Sequence, residues 1–217
     1  MNTKPNTNRF LLTLIILSLT QIAQTGDNRW YAGNLRYSAN GAKSIIFTPP
    51  IAPQLVSSGE SNWVSVAADT WVQAGWRYYK GGISAIRYVE YLDLDGFYDD
   101  LEYGNQLWNS MVEYRIEWLS GEWWCSYIEN ELKTCRRVHA APCTMKVSSE
   151  IHLNPMNELD TFFSDIHYRN VAGQWSRFDQ HHWIEEFPYI ILDKSSPSYF
   201  NTYRANTYDI FVPIIRK

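Results

Sequence analysis

Carboxylates, imidazoles, thiols and indoles are the groups in this chain whose types and spacing could carry chemistry. Asp93, Asp95, Asp99, Asp100 and Glu102 crowd around Gly96, and carboxylate oxygens gathered in a loop are what a hard cation such as calcium needs. The spacing lacks the third ligand that a calcium loop places before its glycine, so the cluster reads as a solvated turn. His181 and His182 are adjacent; neighbours on a strand point to opposite faces, and no third ligand stands at a matching interval. Cys125, Cys135 and Cys143 fall in no nucleophile setting and match no zinc spacing. Neither a metal nor a cofactor is expected.

Glu90, Glu113, Glu117 and Glu150 could serve a glycosidase that works with paired carboxylates. No compact Glu-x-Asp-x-x-Glu strand sets two of them on one face, which ranks that chemistry last. Exposed aromatic side chains grip sugar rings or extended peptides, because a flat apolar face with a polar tip supplies contact area at little entropic cost. Trp71 is the best placed of these, sharing the polar face of its strand with Gln73 and Arg77. Trp123 and Trp124 are neighbours, so one of them should face outward. A binding module for glycan or peptide therefore stands beside any enzymatic reading.

The elements that position these groups show a period of two. Val112, Tyr114, Ile116 and Trp118 alternate with Glu113, Arg115 and Glu117; Val72, Ala74 and Trp76 alternate with Trp71, Gln73, Gly75 and Arg77. Met145, Val147, Ser149 and Ile151 likewise alternate with Lys146, Ser148, Glu150 and His152. Further strands are expected at 42–47, 62–67, 84–92, 122–128, 131–138, 160–168, 187–192 and 207–212, between turn signals such as Lys80-Gly-Gly82 and Asn154-Pro155. No helical period is sustained. The pattern predicts an all-β fold, an antiparallel sandwich with large sheets. Residues 24–60 read as a strand pair plus an irregular connection, compatible with part of the domain or with a removable propeptide. Residues 173–186 read as a long loop.

Composition bounds the rest. The chain has 217 residues, 45% hydrophobic and 16% aromatic, enough for one sizeable core and too few for two comfortable domains. Lys4 and Arg9 precede the apolar stretch Phe10–Leu19, followed by Ala23, which is the layout of a secretory signal and too short for a bilayer span. The expected division is a signal peptide at 1–23 and a single secreted domain at 24–217, with no membrane contact after cleavage. Removing Lys4 and Arg9 leaves 17 basic against 23 acidic residues, a formal net charge of −6, so no nucleic-acid partner is expected. A monomer is expected. In an oxidising compartment an odd count of three cysteines means one disulfide and one free thiol. Cys125 and Cys135 lie symmetrically about a hairpin turn near Asn130, so that pairing is favoured over Cys135 with Cys143.

Trp71-Val-Gln73-Ala-Gly75, Tyr88-Val-Glu90-Tyr91, the strand Val112–Trp118, Ser149-Glu150-Ile151 and Asp160–Asn170 resemble, in order and spacing, the secreted glutamic peptidases, the eqolisins. The matched runs are short, three to eleven residues each, within residues 60–170. The resemblance implies a concanavalin-like β-sandwich of jelly-roll type and a peptidase working in acid without metal. It implies a catalytic pair, Gln73 and Glu150, and substrate-binding neighbours at Trp71, Arg77 and Glu90, with a polypeptide, or a glycan in the binding-module reading, held in a sheet groove. A carboxylate can take a proton from water attacking an amide, while a side-chain amide donates to the developing oxyanion. The family follows its glutamate with Trp, where this chain has Ile151. The run Trp183-Ile-Glu-Glu186 comes after the matched segments and no Glu precedes its Trp.

Overall fold

The computed structural model describes residues 29–55, 58–158 and 160–205. The expected signal peptide and the strand at 207–212 lie outside those residues. Two antiparallel sheets pack face to face. The first runs β13 (His182–Glu185), β1 (Arg29–Ala39), β10 (Cys143–His152), β3 (Gly59–Ala67), β4 (Trp71–Tyr79), β5 (Ala85–Leu92), β6 (Tyr98–Gln106). The second runs β14 (Tyr189–Ile191), β15 (Phe200–Arg204), β11 (Asp160–Arg169), β2 (Gly41–Thr48), β7 (Ser110–Ser120), β8 (Trp123–Ile128), β9 (Glu131–Arg137), with β12 (Trp175–Arg177) beside β11. No helix occurs among the described residues.

The alternating residues close the core between the sheets. Val72, Ala74, Trp76, Met145 and Val147 from the first sheet are fully buried, as are Ile46, Tyr114, Ile116, Phe163 and Phe200 from the second. Burying such aliphatic and aromatic side chains contributes about 1.5–3 kcal/mol each. A polar cluster crosses this core. Asn62 Nδ2 and the Thr161 hydroxyl both donate to Glu60 Oε1, at 2.7 and 3.1 Å. The Ser149 hydroxyl donates to Asn62 Oδ1 and lies 2.7 Å from the Thr202 hydroxyl. These contacts tie β3 and β10 to β11 and β15.

Two sequence expectations need correction. The acidic segment is only partly a turn: Asp93 caps it by accepting from the backbone N–H of Asp95 and Phe97, but Asp99, Asp100 and Glu102 lie on edge strand β6, paired with β5. The stretch 173–186 contains β12 and β13 rather than a continuous loop. Residues 29–48 supply β1, paired to β10 and β13, and β2, between β11 and β7. These are the two strands expected there, each set inside a sheet.

The hairpin of β8 and β9 turns at Glu129 and Asn130, both with positive φ (52° and 65°), the backbone that matches strand twist in a two-residue loop. Trp124 points into the core and Trp123 outward. Cys125 and Cys135 are directly opposed and joined. Cys143 is a buried free thiol that burial pushes up to about 11, which keeps it protonated and unreactive. Replacing Cys125 and Cys135 with serine is expected to lower stability by roughly 2–3 kcal/mol, seen as a lower denaturant midpoint. An unchanged midpoint would show that the hairpin holds without its bridge.

Candidate functional site

The outer face of the first sheet, turned away from the second, carries the residues that alternate with the core. On β10 these are Lys146, Ser148, Glu150 and His152; on β3, Ser61, Trp63 and Ser65; on β4, Trp71, Gln73, Gly75 and Arg77. A cavity of about 300 Å³ opens there, lined by Tyr31, Trp63, Trp71, Gln73, Lys146 and Glu150 among others. Both members of the expected pair thus line one cavity on one face.

Glu150 is almost wholly buried, yet its surroundings are polar. Trp63 Nε1 donates to Oε2 at 3.0 Å, Arg29 Nη1 donates to Oε1 at 3.0 Å, and His152 Nε2 lies 3.2 Å from Oε1. Donors thus reach both carboxylate oxygens and hold the group in place. Trp63 can lie across the sheet because its partners in the pairing are small: Ser148 on β10 and Gly75 on β4.

Gln73 lies on the same face, with its amide turned toward β5. Its Nε2 donates to Glu90 Oε2 at 2.7 Å and to the Tyr88 hydroxyl at 3.2 Å, which uses both amide hydrogens. Glu90 also accepts from the Tyr98 hydroxyl at 2.5 Å. Burial raises the Glu90 carboxyl, and the charges of Asp100 and Glu150 add to that, against the lowering effect of the bonds from Tyr98 and Gln73. Trp71 packs edge-on against Tyr98, ring centroids 6.3 Å apart.

Register decides which of these groups share a row. Gln73 pairs with Ser65 and Ser65 with Lys146, so the β10 residue level with Gln73 is Lys146; Glu150 is level with Ser61 and Arg77. The α-carbons of Gln73 and Glu150 are therefore offset by about 14 Å along the strands and about 10 Å across them. They share a cavity but not a row. Glu90, directly opposite Gln73, is the carboxylate that touches it.

Arg77 stands apart from the cavity lining. Its guanidinium, 5% exposed, donates to Asp100 and to Glu102 at 2.9 Å, fastening edge strand β6 to β4. Burial works against its charge, but the bond to Asp100, the electrostatic influence of Tyr79 and Asp100 and the bond to Glu102 more than offset it, leaving the guanidinium permanently protonated. Trp63, Tyr31 and Lys146 are site residues that sequence reasoning did not single out. Parity could have found Trp63, which shares a face with Ser61 and Ser65 and alternates with Val64 and Val66.

No protein-family model and no curated protein sequence matches this chain. Solved structures do. Scytalido-glutamic peptidase, determined with a peptide-based transition-state analogue, superposes with a TM-score of 0.61 at 12% identity, over 83% of this chain and 99% of that one. SCP-B, a member of the eqolisin family of peptidases in complex with the tripeptide Ala-Ile-His, does so with a TM-score of 0.58 at 10% identity over the same shares. The fold is the one those peptidases use. The likeness read from short motifs in residues 60–170 thus extends to the sandwich as a whole, while identity at this level speaks for architecture alone.

Proposed function

We propose that this protein grips an extended polypeptide in the outer groove of its first sheet. The observation that carries this reading is the cavity itself, lined by the rings of Tyr31, Trp63 and Trp71 together with Lys146, Glu150 and Gln73. Flat rings with polar tips and charges of both signs suit a peptide, which offers apolar side chains, amides and charged groups together. Fold-mates holding peptide ligands support the same class. The disulfide fits an exported protein working in an oxidising compartment.

A second reading, hydrolysis of the bound peptide in acid, is favoured by Gln73 and Glu150 lining one cavity. In it Glu150 takes the proton of an attacking water, Gln73 donates to the oxyanion, and the protonated Glu150 returns its proton to the leaving amine. Gln73 must first turn its amide away from Glu90. Protonation of Glu90, which burial brings on in milder acid than for an ordinary glutamate, removes the charge that strengthens its bond from Gln73 and so loosens its hold on the amide.

One experiment separates the two readings. Purified mature domain is titrated with a peptide digest while tryptophan emission is followed, then incubated with an unfolded protein from pH 3 to 7. Emission is expected to shift on binding, because Trp63 and Trp71 line the groove, with no new fragments by mass spectrometry. Fragments that vanish in Glu150→Gln would replace the binding reading with the hydrolytic one.

A further inference from the structure

Lys146 is a charged group that the readings above leave without a task. It lies in the cavity, on the row Leu35–Lys146–Ser65–Gln73–Glu90 that crosses β1, β10, β3, β4 and β5. Its Nζ sits 3.8 Å from the centroid of the Tyr31 ring and 4.9 Å from that of Trp63, and those two rings meet edge to face. Among the described residues Nζ makes no hydrogen bond and no ion pair.

An ammonium carries three N–H donors, and ring faces satisfy charge without accepting as an oxygen does. Removing such a group from water disfavours it unless an acceptor is supplied. The carboxylates that face it act at longer range: Glu150 from its own strand and Glu186 beyond β13 both favour its charged form, while burial lowers it to about 8. Glu186 is occupied as well, with Oε2 accepting from the Tyr31 backbone N–H at 3.0 Å. The cavity therefore holds a protonated donor, at neutral pH and below, with room on its open side.

We propose that Lys146 anchors a carboxylate of the bound peptide, so that the groove selects peptides presenting one. A carboxylate brings a single charge on a flat group that fits between two rings. A phosphate would turn its second charge toward Glu150 and Glu186. The acidic group comes either from an Asp or Glu side chain or from a free C-terminus. The inference rests on the peptide-binding reading of the groove and adds the chemical class of ligand that it prefers.

The test uses three capped peptides of equal length at pH 6, titrated against tryptophan emission. One has a central Glu and an amidated end, one a central Gln and an amidated end, and one a central Gln and a free C-terminus. Wild type, Lys146→Met and Lys146→Arg are compared, with circular dichroism confirming the fold of each. One of the two acidic peptides is expected to bind wild type about tenfold more tightly than the neutral one, and which one does so identifies the source of the carboxylate. Lys146→Met should erase the difference, and Lys146→Arg should keep part of it. Equal binding of all three peptides to wild type, or a preference that survives in Lys146→Met, overturns the role of Lys146 and leaves the groove a peptide site. Binding of none of them overturns the groove reading itself, and the anchor with it.

Discussion

Replacing Glu60 with glutamine is expected to raise the thermal midpoint at pH 8 by roughly 6–12 °C and to leave it nearly unchanged at pH 4. Glu60 is 1% exposed, and burial pushes its carboxyl up to about 7; bonds from Asn62 and Thr161 oppose that rise, and the charges of Asp160 and Glu158 add to it. Its Oε2 has no hydrogen-bond partner among the described residues. Below about pH 4.5 both folded and unfolded chains hold the proton, so the group contributes nothing to the balance. Between about 4.5 and 7 the unfolded chain releases its proton first, and stability falls as pH rises. Above 7 the penalty is complete, about 3 kcal/mol from the mismatch in proton affinity. Glutamine keeps an acceptor for Asn62 and Thr161 and has no proton to lose. Denaturant midpoints measured from pH 4 to 8 check this: parallel slopes for wild type and Glu60→Gln would show that another group governs the dependence.

Gly75→Ala is expected to prevent folding or to cost more than about 3 kcal/mol, by the overpacking and strain mechanisms that produce the largest single-residue effects. A β-carbon at position 75 would stand 1.9 Å from the carbonyl oxygen of Asn62 and 2.8 Å from the Trp63 α-carbon. Both obstacles are backbone of the neighbouring strand β3, which is held on its other side by β10. No side chain can swing aside to relieve the clash. Gly121 provides the contrast: it has φ of 55° and open space around its hydrogen, and Gly121→Asn should cost well under 1 kcal/mol because asparagine tolerates that backbone region. Soluble yield and urea midpoints decide it, and a Gly75→Ala protein as stable as wild type would contradict the close packing of β3 against β4.

How plainly a strand shows in its own sequence follows a physical pattern. Strands β4, β7 and β10 were visible because each buries one face, which forces apolar and polar residues to alternate. Strand β6 was not, because its acids are satisfied across the sheet: Asp100 and Glu102 bond Arg77 on β4, a partner far away in sequence. The short strands β12, β13 and β15 carry three to five residues each, too few for a period to declare itself. The disulfide was legible because hairpin symmetry is local. The polar cluster around Glu60 was not, because its partners come from four strands of both sheets.

The sequence by itself determined that this is an all-β sandwich, that Gln73 and Glu150 face the same way, and that Cys125 meets Cys135. Each follows from a period of two or from a turn, both properties of a few consecutive residues. Only the tertiary structure decided that Lys146 and Glu90, rather than Glu150, share a row with Gln73, and that Arg77 fastens an edge strand. Alternation states which face a side chain takes but not how far one strand has slid past the next. That register is set by which distant residues bury each other, a choice made across the whole molecule.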